Sequence, residues 1–463
     1  MTAVDELSDL IGSHRVSIHP ADLQRHSTDR SPSALLARRR GDRPLSPLCV
    51  TRPRTTEQVS QILKWANRTR TPVIPYGGGS AVCEQISGGG AVVMELRAMN
   101  EIVDIDEKSR LVQAQAGVLG PDLRNALATW GFMLGHEPQS VGISTIGGWI
   151  ATRASGQLSS RYGAIEDLVA GLEAVLPSGR VARTRLAPRT STGPGIASLM
   201  IGSEGTLGVV TEATLRISPL PEARFDRCIR FDQMANGVVA CRKIVQAGLQ
   251  PTLLRLYDRE DATIFLRSSS DESDDPMLLL SFEGPRADHR AEEAVALSRG
   301  RRGDDAWVEH WWQHRNDAVD EFVTLMAGEG VLGPHGIVET IEVAGTWSVL
   351  RDLYHSMKDS LSPLADVTGC HLSHVYPDGA CLYFTIAKAC DSDDAAADAL
   401  EQWWQVGMRT CLAAGGSISH HHGIGRRKAR WLPEELGEWW DVLVAVKRAL
   451  DPNRIMNPGA LGL

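Results

Sequence analysis

The chain has no apolar run of the roughly 18 residues that a membrane-spanning helix needs, and no charged-then-apolar leader. Neither membrane insertion nor export is therefore expected. Its eight cysteines (Cys49, Cys83, Cys228, Cys241, Cys370, Cys381, Cys390 and Cys411) form no CxxC pair. That argues against a zinc knuckle or a disulfide framework and for reduced thiols in the cytoplasm. Charge of one sign is also scarce. The 48 Lys and Arg against 57 Asp and Glu leave a net charge of -9, spread along the chain, so neither nucleic acid nor a membrane surface is the expected partner. The short basic run ARRRGDR (37–43) and the acidic SSSDESDD (268–275) both read as solvated loops. No internal repeat or low-complexity tract occurs. Neither a GxGxxG fingerprint in strand–helix context nor GxxxxGK[ST] is present, which excludes the Rossmann and P-loop ways of holding phosphate.

What is present is a chain of 463 residues with 43% hydrophobic content, longer than a single core sustains. Thr55-Thr56-Glu57 predicts a helix start, with Val59, Ile62, Leu63 and Ala66 at helical spacing. A strand at 72–75, a strand at 91–96, a hairpin over 101–117 turning at Glu107-Lys108, and a helix over 121–131 follow. Beyond Pro221 the pattern changes to helices (234–248, 292–300) alternating with strands (277–284, 379–389). The last helix is stopped by Asp451-Pro452. These shifts divide the chain into 1–221, 222–405 and a returning segment 406–463.

Three glycine-rich stretches permit close backbone approach: PYGGGSA (75–81), STIGGWIATRASG (144–156) and GSEGTLGVVTEATLRI (202–217). The first lets successive N–H groups converge on an anion. Each alone is more often a structural turn. The tail carries SISHHHGIG (417–425). On a regular strand neighbouring side chains alternate faces, so three consecutive histidines reach one ligand only from irregular backbone. His136 and the tryptophan pairs Trp311-Trp312, Trp403-Trp404 and Trp439-Trp440 read first as packing residues, with the first pair a candidate wall for an apolar substrate.

In this order and spacing the glycine motifs, with HEPQSVG before the second and DPNRIMNPG at the end, resemble the vanillyl-alcohol-oxidase (PCMH-type) family of FAD-linked enzymes. The resemblance implies an α+β fold: two α+β subdomains holding FAD and a mixed α/β cap of the FAD-linked oxidase C-terminal type. It places Pro75, Tyr76, Gly77, Gly78, Gly79, Ser80 and Ala81 at the pyrophosphate and ribityl part of the cofactor. Pro138, Ser144, Thr145, Gly147, Gly148, Thr152, Arg153, Ala154 and Ser155 join them there, and Glu204, Gly205, Gly208 and Val210 lie along the rest of FAD. The loop that carries a flavin-linking histidine in some members has no His or Cys before Cys83, so non-covalent FAD is expected.

Within the family, the D-2-hydroxy acid dehydrogenases read EHGIG in the tail and HxGDGNxH in the cap, which together bind a divalent metal. Here His421 stands at the acidic position, and SHVYPDGACLYF (373–384) lacks the second cap histidine. No metal is expected, although His371, His374, His421 and Cys381 form a softer donor set. The tail, TRASG, PRTSTGP (188–194), LLRLYD (253–258) and the 373–384 stretch resemble the alkyldihydroxyacetonephosphate synthase branch. That resemblance implies ether-bond formation through a flavin N5 adduct. Tyr383 would be the acid–base group, His420, His421 and His422 would manage protons and the substrate head, and Arg255 would organise the surroundings. The arginine with which the synthases bind phosphate is missing; the aligned position is close to Gly328. A dehydrogenase or oxidase of a 2-hydroxy acid is the alternative, and a non-catalytic flavoprotein subunit the reading of another class. The partner expected is a small molecule, with room for a homodimer.

Overall fold

Thr55 starts the first long helix as the sequence predicts. Its hydroxyl accepts the Gln58 N–H at 3.2 Å, and Val59, Ile62, Leu63 and Ala66 form the buried stripe of Thr56–Thr69. That stripe packs with Cys49, Val92 and Met94 of a four-stranded sheet. In it Cys49–Thr51, Val92–Glu95 and Val73–Tyr76 run parallel, with Val16–Ser17 antiparallel at one edge. The computed structural model describes residues 2–42, 44–266 and 275–463. The acidic stretch expected to be a solvated loop lies outside them, apart from Asp275.

A second sheet is wholly antiparallel. It contains the predicted hairpin, Ile102–Asp106 with Leu111–Gln115, then Val209–Arg216, Val169–Val175 and Val181–Arg183. The tail returns to the first sheet, where Met456 bridges Val73. Its helix Trp439–Leu450 ends at the Asp-Pro pair, and the Asp451 carboxylate then accepts the Ile455 and Met456 N–H groups at 3.0 and 2.9 Å.

The cap is built on a seven-stranded antiparallel sheet whose central members are Leu253–Tyr257, Val367–Val375, Gly379–Lys388 and the edge strand Ile337–Thr346. Alternation along these strands sorts the two faces. Leu254, Leu256, Leu372, Leu382, Phe384, Ile341 and Val343 join one apolar core with the helices Met234–Gln246, Leu350–Leu361 and Asp393–Ala413. Arg255, Tyr257, His371, Ser373, Cys381, Tyr383, Thr340 and Glu342 fall in the opposite phase. The register sets Tyr383 beside both His371 and Glu342. Helix Asp393–Ala413 runs unbroken through residues 405 and 406.

The basic run differs from its expectation. Its first residues end the helix Pro32–Arg39, and Arg39 is an internal strut: its Nη1 donates to the carbonyls of Met326 and Gly336 at 3.2 and 2.7 Å, and its Nη2 pairs with Asp393. All eight cysteines are free thiols, seven of them buried. No helix among the described residues is long and apolar enough to cross a membrane.

Candidate active site

Where the glycine loops meet the polar face of the cap sheet, the protein encloses a cavity of about 390 Å³. Pro75, Gly77, Gly78, Gly79, Ser80, Ala81, Pro138, Thr145, Gly148, Thr152, Ala154, Ser155, Glu204 and Gly205 line it. So do Arg255, Tyr383, His421 and His422. The other residues expected at the cofactor support this wall from behind or stand apart. Tyr76 packs on His26, Ser144 accepts the Trp149 indole N–H at 2.7 Å, and Gly147 sits against Ala116. Gly208 and Val210 enter the second sheet, and Arg153 pairs with Glu166 on the surface.

The first glycine loop is shaped for an anion. A Cβ on Gly78 would stand 1.8 Å from the Ile143 carbonyl oxygen, so only glycine lets the two cavity loops touch. The backbone N–H groups of Gly78, Gly79, Ser80 and Ala81 have no protein acceptor among the described residues. Arg30, which the sequence did not single out, lines the cavity beside them, with its own N–H on the Ala81 carbonyl at 2.9 Å. A row of open donors next to a cation suits the pyrophosphate of FAD.

The histidine loop solves the geometric problem of three neighbours on one backbone. Glu342, fully buried on the edge strand, accepts the N–H groups of His420, His421 (3.3 Å) and His422 (3.2 Å) and the Ser419 hydroxyl (2.8 Å). Its charge is met by the equally buried Lys428 at 2.8 Å. Burial would raise the Glu342 carboxyl, but the Lys428 ammonium outweighs it and holds it well below the usual carboxylate range. Three consecutive amides converge on one carboxylate, so the three rings fan outward instead of alternating. A second buried carboxylate, Glu204, closes the loop by accepting the Ile424 and Gly425 N–H groups at 2.7 and 2.8 Å, and burial pushes it up to about 7. Gln85 ties down the His422 carbonyl at 2.7 Å.

A fourth histidine joins them. An extra residue interrupts the register between Ser373 and Val375, and His374, at φ 48°, is that residue. The bulge turns its ring out of strand phase, against His420 (centroids 4.9 Å) and His421 (4.7 Å). Its Nδ1 meets the Ser159 hydroxyl at 2.8 Å. The Nδ1 atoms of His420 and His421 lie 3.2 Å apart. Tyr383 stacks parallel to His421 at 6.0 Å and meets His422 edge-on at 5.5 Å. His371 is not part of this group: its Nδ1 bonds Asp261 at 2.6 Å and its Nε2 faces Arg255. His136 is a packing residue, edge-on to Trp149. Trp403 and Trp404 are core, Trp439 is exposed, and Trp311 does line the cavity.

Burial pushes His420 and His422 down to about 4, and His421 and His374 well below the ordinary histidine value, so these rings are neutral bases around pH 7. Burial raises Tyr383 above the normal phenol range, which keeps its O–H. The sign follows directly. A depressed histidine keeps its neutral form above the lowered value and loses it only as pH falls through about 4. The rings are therefore expected to add no acid limb to kcat/KM between about pH 7 and 5; Glu204, at about 7, titrates there itself, so the profile is read in Glu204→Gln. A limb centred on the unperturbed 6.5 that persists in that variant would show that the rings are not held this way.

Residues 47–185 match the FAD binding domain family and residues 220–461 the C-terminal domain of FAD linked oxidases. The FAD-linked oxidoreductase YgcU of Escherichia coli K12, itself described as uncharacterized, is 33% identical over 480 residues, covering 99% of this chain and 97% of its own. Alkyldihydroxyacetonephosphate synthase of Caenorhabditis elegans is 30% identical over 458 residues, covering 90% of this chain and 76% of its own. A solved alkyldihydroxyacetonephosphate synthase superposes with a TM-score of 0.80 at 25% identity, over 98% of this chain and 84% of the other. With two family models over most of its length and a relative 33% identical across 99% of it, this chain belongs to the FAD-linked oxidase family and takes FAD as its cofactor.

Proposed function

We propose that the chain is an FAD enzyme of the alkyldihydroxyacetonephosphate synthase type, acting at a carbon that bears oxygen, on a substrate whose head group differs from that of the synthases. One observation carries this reading: Tyr383 and the neutral His421 and His422 line the same cavity as the open glycine loop. In this assignment residues 1–221 hold the cofactor, 222–405 supply the substrate wall, and 406–463 bring the histidines back to it. FAD, when bound, supplies an acceptor for an electron pair. The chain's own groups do the rest. His421 or His422 takes the proton from the carbon beside the carbonyl, Tyr383 donates its O–H to the substrate oxygen, and the cap sheet keeps bulk water out. FAD is held without a covalent link, since residues 75–82 offer neither His nor Cys, and the buried Cys83 is not on the cavity wall.

Gly328 favours a second reading. It has φ 82°, and a Cβ there would stand 2.5 Å from the Pro334 carbonyl, so a side chain is strained at this position, close to which the resemblance puts the synthases' phosphate arginine. A dehydrogenase of a 2-hydroxy acid needs no such clamp. Anaerobic mixing decides. Purified protein is expected to give up its yellow flavin to the supernatant on acid precipitation and to exchange acyl for alkoxy groups, while hydroxy acids leave its visible flavin band intact. Bleaching by a hydroxy acid would replace the synthase reading with the dehydrogenase one.

A further inference from the structure

Three arginines among the described residues line the cavity, and their surroundings differ. Arg30 stands by the glycine loop, where FAD phosphate belongs. Arg315 is already neutralised: its Nη2 bonds Glu137 at 2.7 Å and its Nη1 the Trp312 carbonyl at 2.6 Å. Arg255 is on the substrate side, in the polar phase of the cap sheet, and no carboxylate among the described residues lies within ion-pair distance of it. Its Nε, shut off from solvent, has no hydrogen-bond partner among the described residues.

What Arg255 does have is an aiming device. An arginine only donates, so the His371 Nε2 that faces its Nη2 is an acceptor, and the proton of the imidazole sits on Nδ1. That N–H in turn donates to the fully buried Asp261 at 2.6 Å. The Asp261–His371 pair thus fixes ring and tautomer, and presents a lone pair rather than a carboxylate to the guanidinium. Rings brace the other sides: Trp311 and Tyr257 each lie 5.5 Å from the guanidinium carbon, and Tyr383 stacks on His371 at 4.8 Å. The guanidinium is half-buried, with its Nε shut off and no carboxylate of the described residues beside it, so an anionic ligand is the partner that would satisfy it.

We propose that Arg255 is the anion clamp of this cavity, and that the substrate offers it a single carboxylate and lays an apolar chain along Phe265, Trp311, Phe322 and Leu325. One unpaired guanidinium matches one negative charge. A phosphate monoester, with nearly two, would leave charge uncompensated once Gly328 has removed the other clamp. The four apolar residues come from the cap helices that roof the same cavity. This inference rests on the proposed function only in taking the cavity as the substrate site.

The test uses the FAD-loaded enzyme and ligands that cannot turn over: octanoate, methyl octanoate and octyl phosphate, followed by perturbation of the flavin spectrum. Octanoate is expected to bind at least ~10-fold tighter than its ester, and Arg255→Met to reduce that ratio to near one. Arg255→Lys should keep part of it. His371→Gln, which keeps FAD but spoils the aim, should weaken octanoate and spare the ester. Equal binding of acid and ester by the wild type would overturn the clamp. Tighter binding of octyl phosphate would overturn the carboxylate assignment. An Arg255→Met protein that loses FAD affinity but keeps the acid–ester ratio would put Arg255 on the cofactor instead. Because no turnover is read, a clear Arg255-dependent ratio stands even if the synthase reaction is never found, and the reverse also holds.

Discussion

Tyr383→Phe is expected to lower kcat by roughly 10²- to 10⁴-fold while the protein still folds and binds FAD. The substitution removes one hydroxyl from a ring whose packing is otherwise unchanged. The ring stays between His371 at 4.8 Å and His421 at 6.0 Å, on a strand bonded along its whole length to two neighbours. Nothing in the apolar core depends on it, because the core-facing residues of that strand are Leu382 and Phe384. Burial also keeps the hydroxyl protonated well into alkaline solution, so it stays a donor across the working pH range. An unchanged FAD content with a collapsed rate is the signature sought. Wild-type turnover in Tyr383→Phe would remove the phenol from the chemistry and leave the histidines to act alone.

The second large effect concerns a residue with no place in the motif. Glu342→Ala should destabilise the protein by about 3–5 kcal/mol, the scale for removing one partner of a buried ion pair. The loss is compound. Lys428 is left charged and fully buried, and three backbone N–H groups lose their acceptor together, while the Ser419 hydroxyl keeps only the Gly423 carbonyl at 3.0 Å. Glu342→Gln keeps the shape and one acceptor oxygen, so it should fold better yet still release Lys428. Denaturant melts of the two variants, with flavin content, check this. A melt for Glu342→Ala within about 1 kcal/mol of wild type would mean that the loop holds its form without the carboxylate.

Glu342 also shows where sequence reasoning ran out. In IVETIEVAG it reads as an ordinary polar residue on an alternating strand. What makes it central is the return of residues 417–425 from far along the chain to lie across that strand, an event of tertiary structure. His374 was hidden for a related reason: regular alternation would hide it from the cavity, and only the bulge brings it in. Arg30 lies in a stretch with no pattern to single it out. By contrast, the helix after Thr55, the hairpin over 101–117 and the Asp-Pro stop were legible because local periodicity and capping decide them. The glycine loops and the histidine triplet were legible as motifs, but their meaning came from what faces them. The basic run misled because three arginines in a row look solvated, while one of them, Arg39, finds carbonyl partners that are distant in sequence.

That arginine has a wider consequence. It spans 287 positions to hold Met326 and 297 to hold Gly336, the two ends of the segment that contains Gly328. The helix Pro32–Arg39, whose Leu36 also joins the apolar core of the cap, thereby works as a hasp on the cap. Trimming the first 40 or so residues as dispensable would take Arg30 from the glycine loop and unlatch residues 326–336 of the cap in one step. The form of this part of the cap is thus written partly near the N-terminal end, far in sequence from the strands and helices that it steadies.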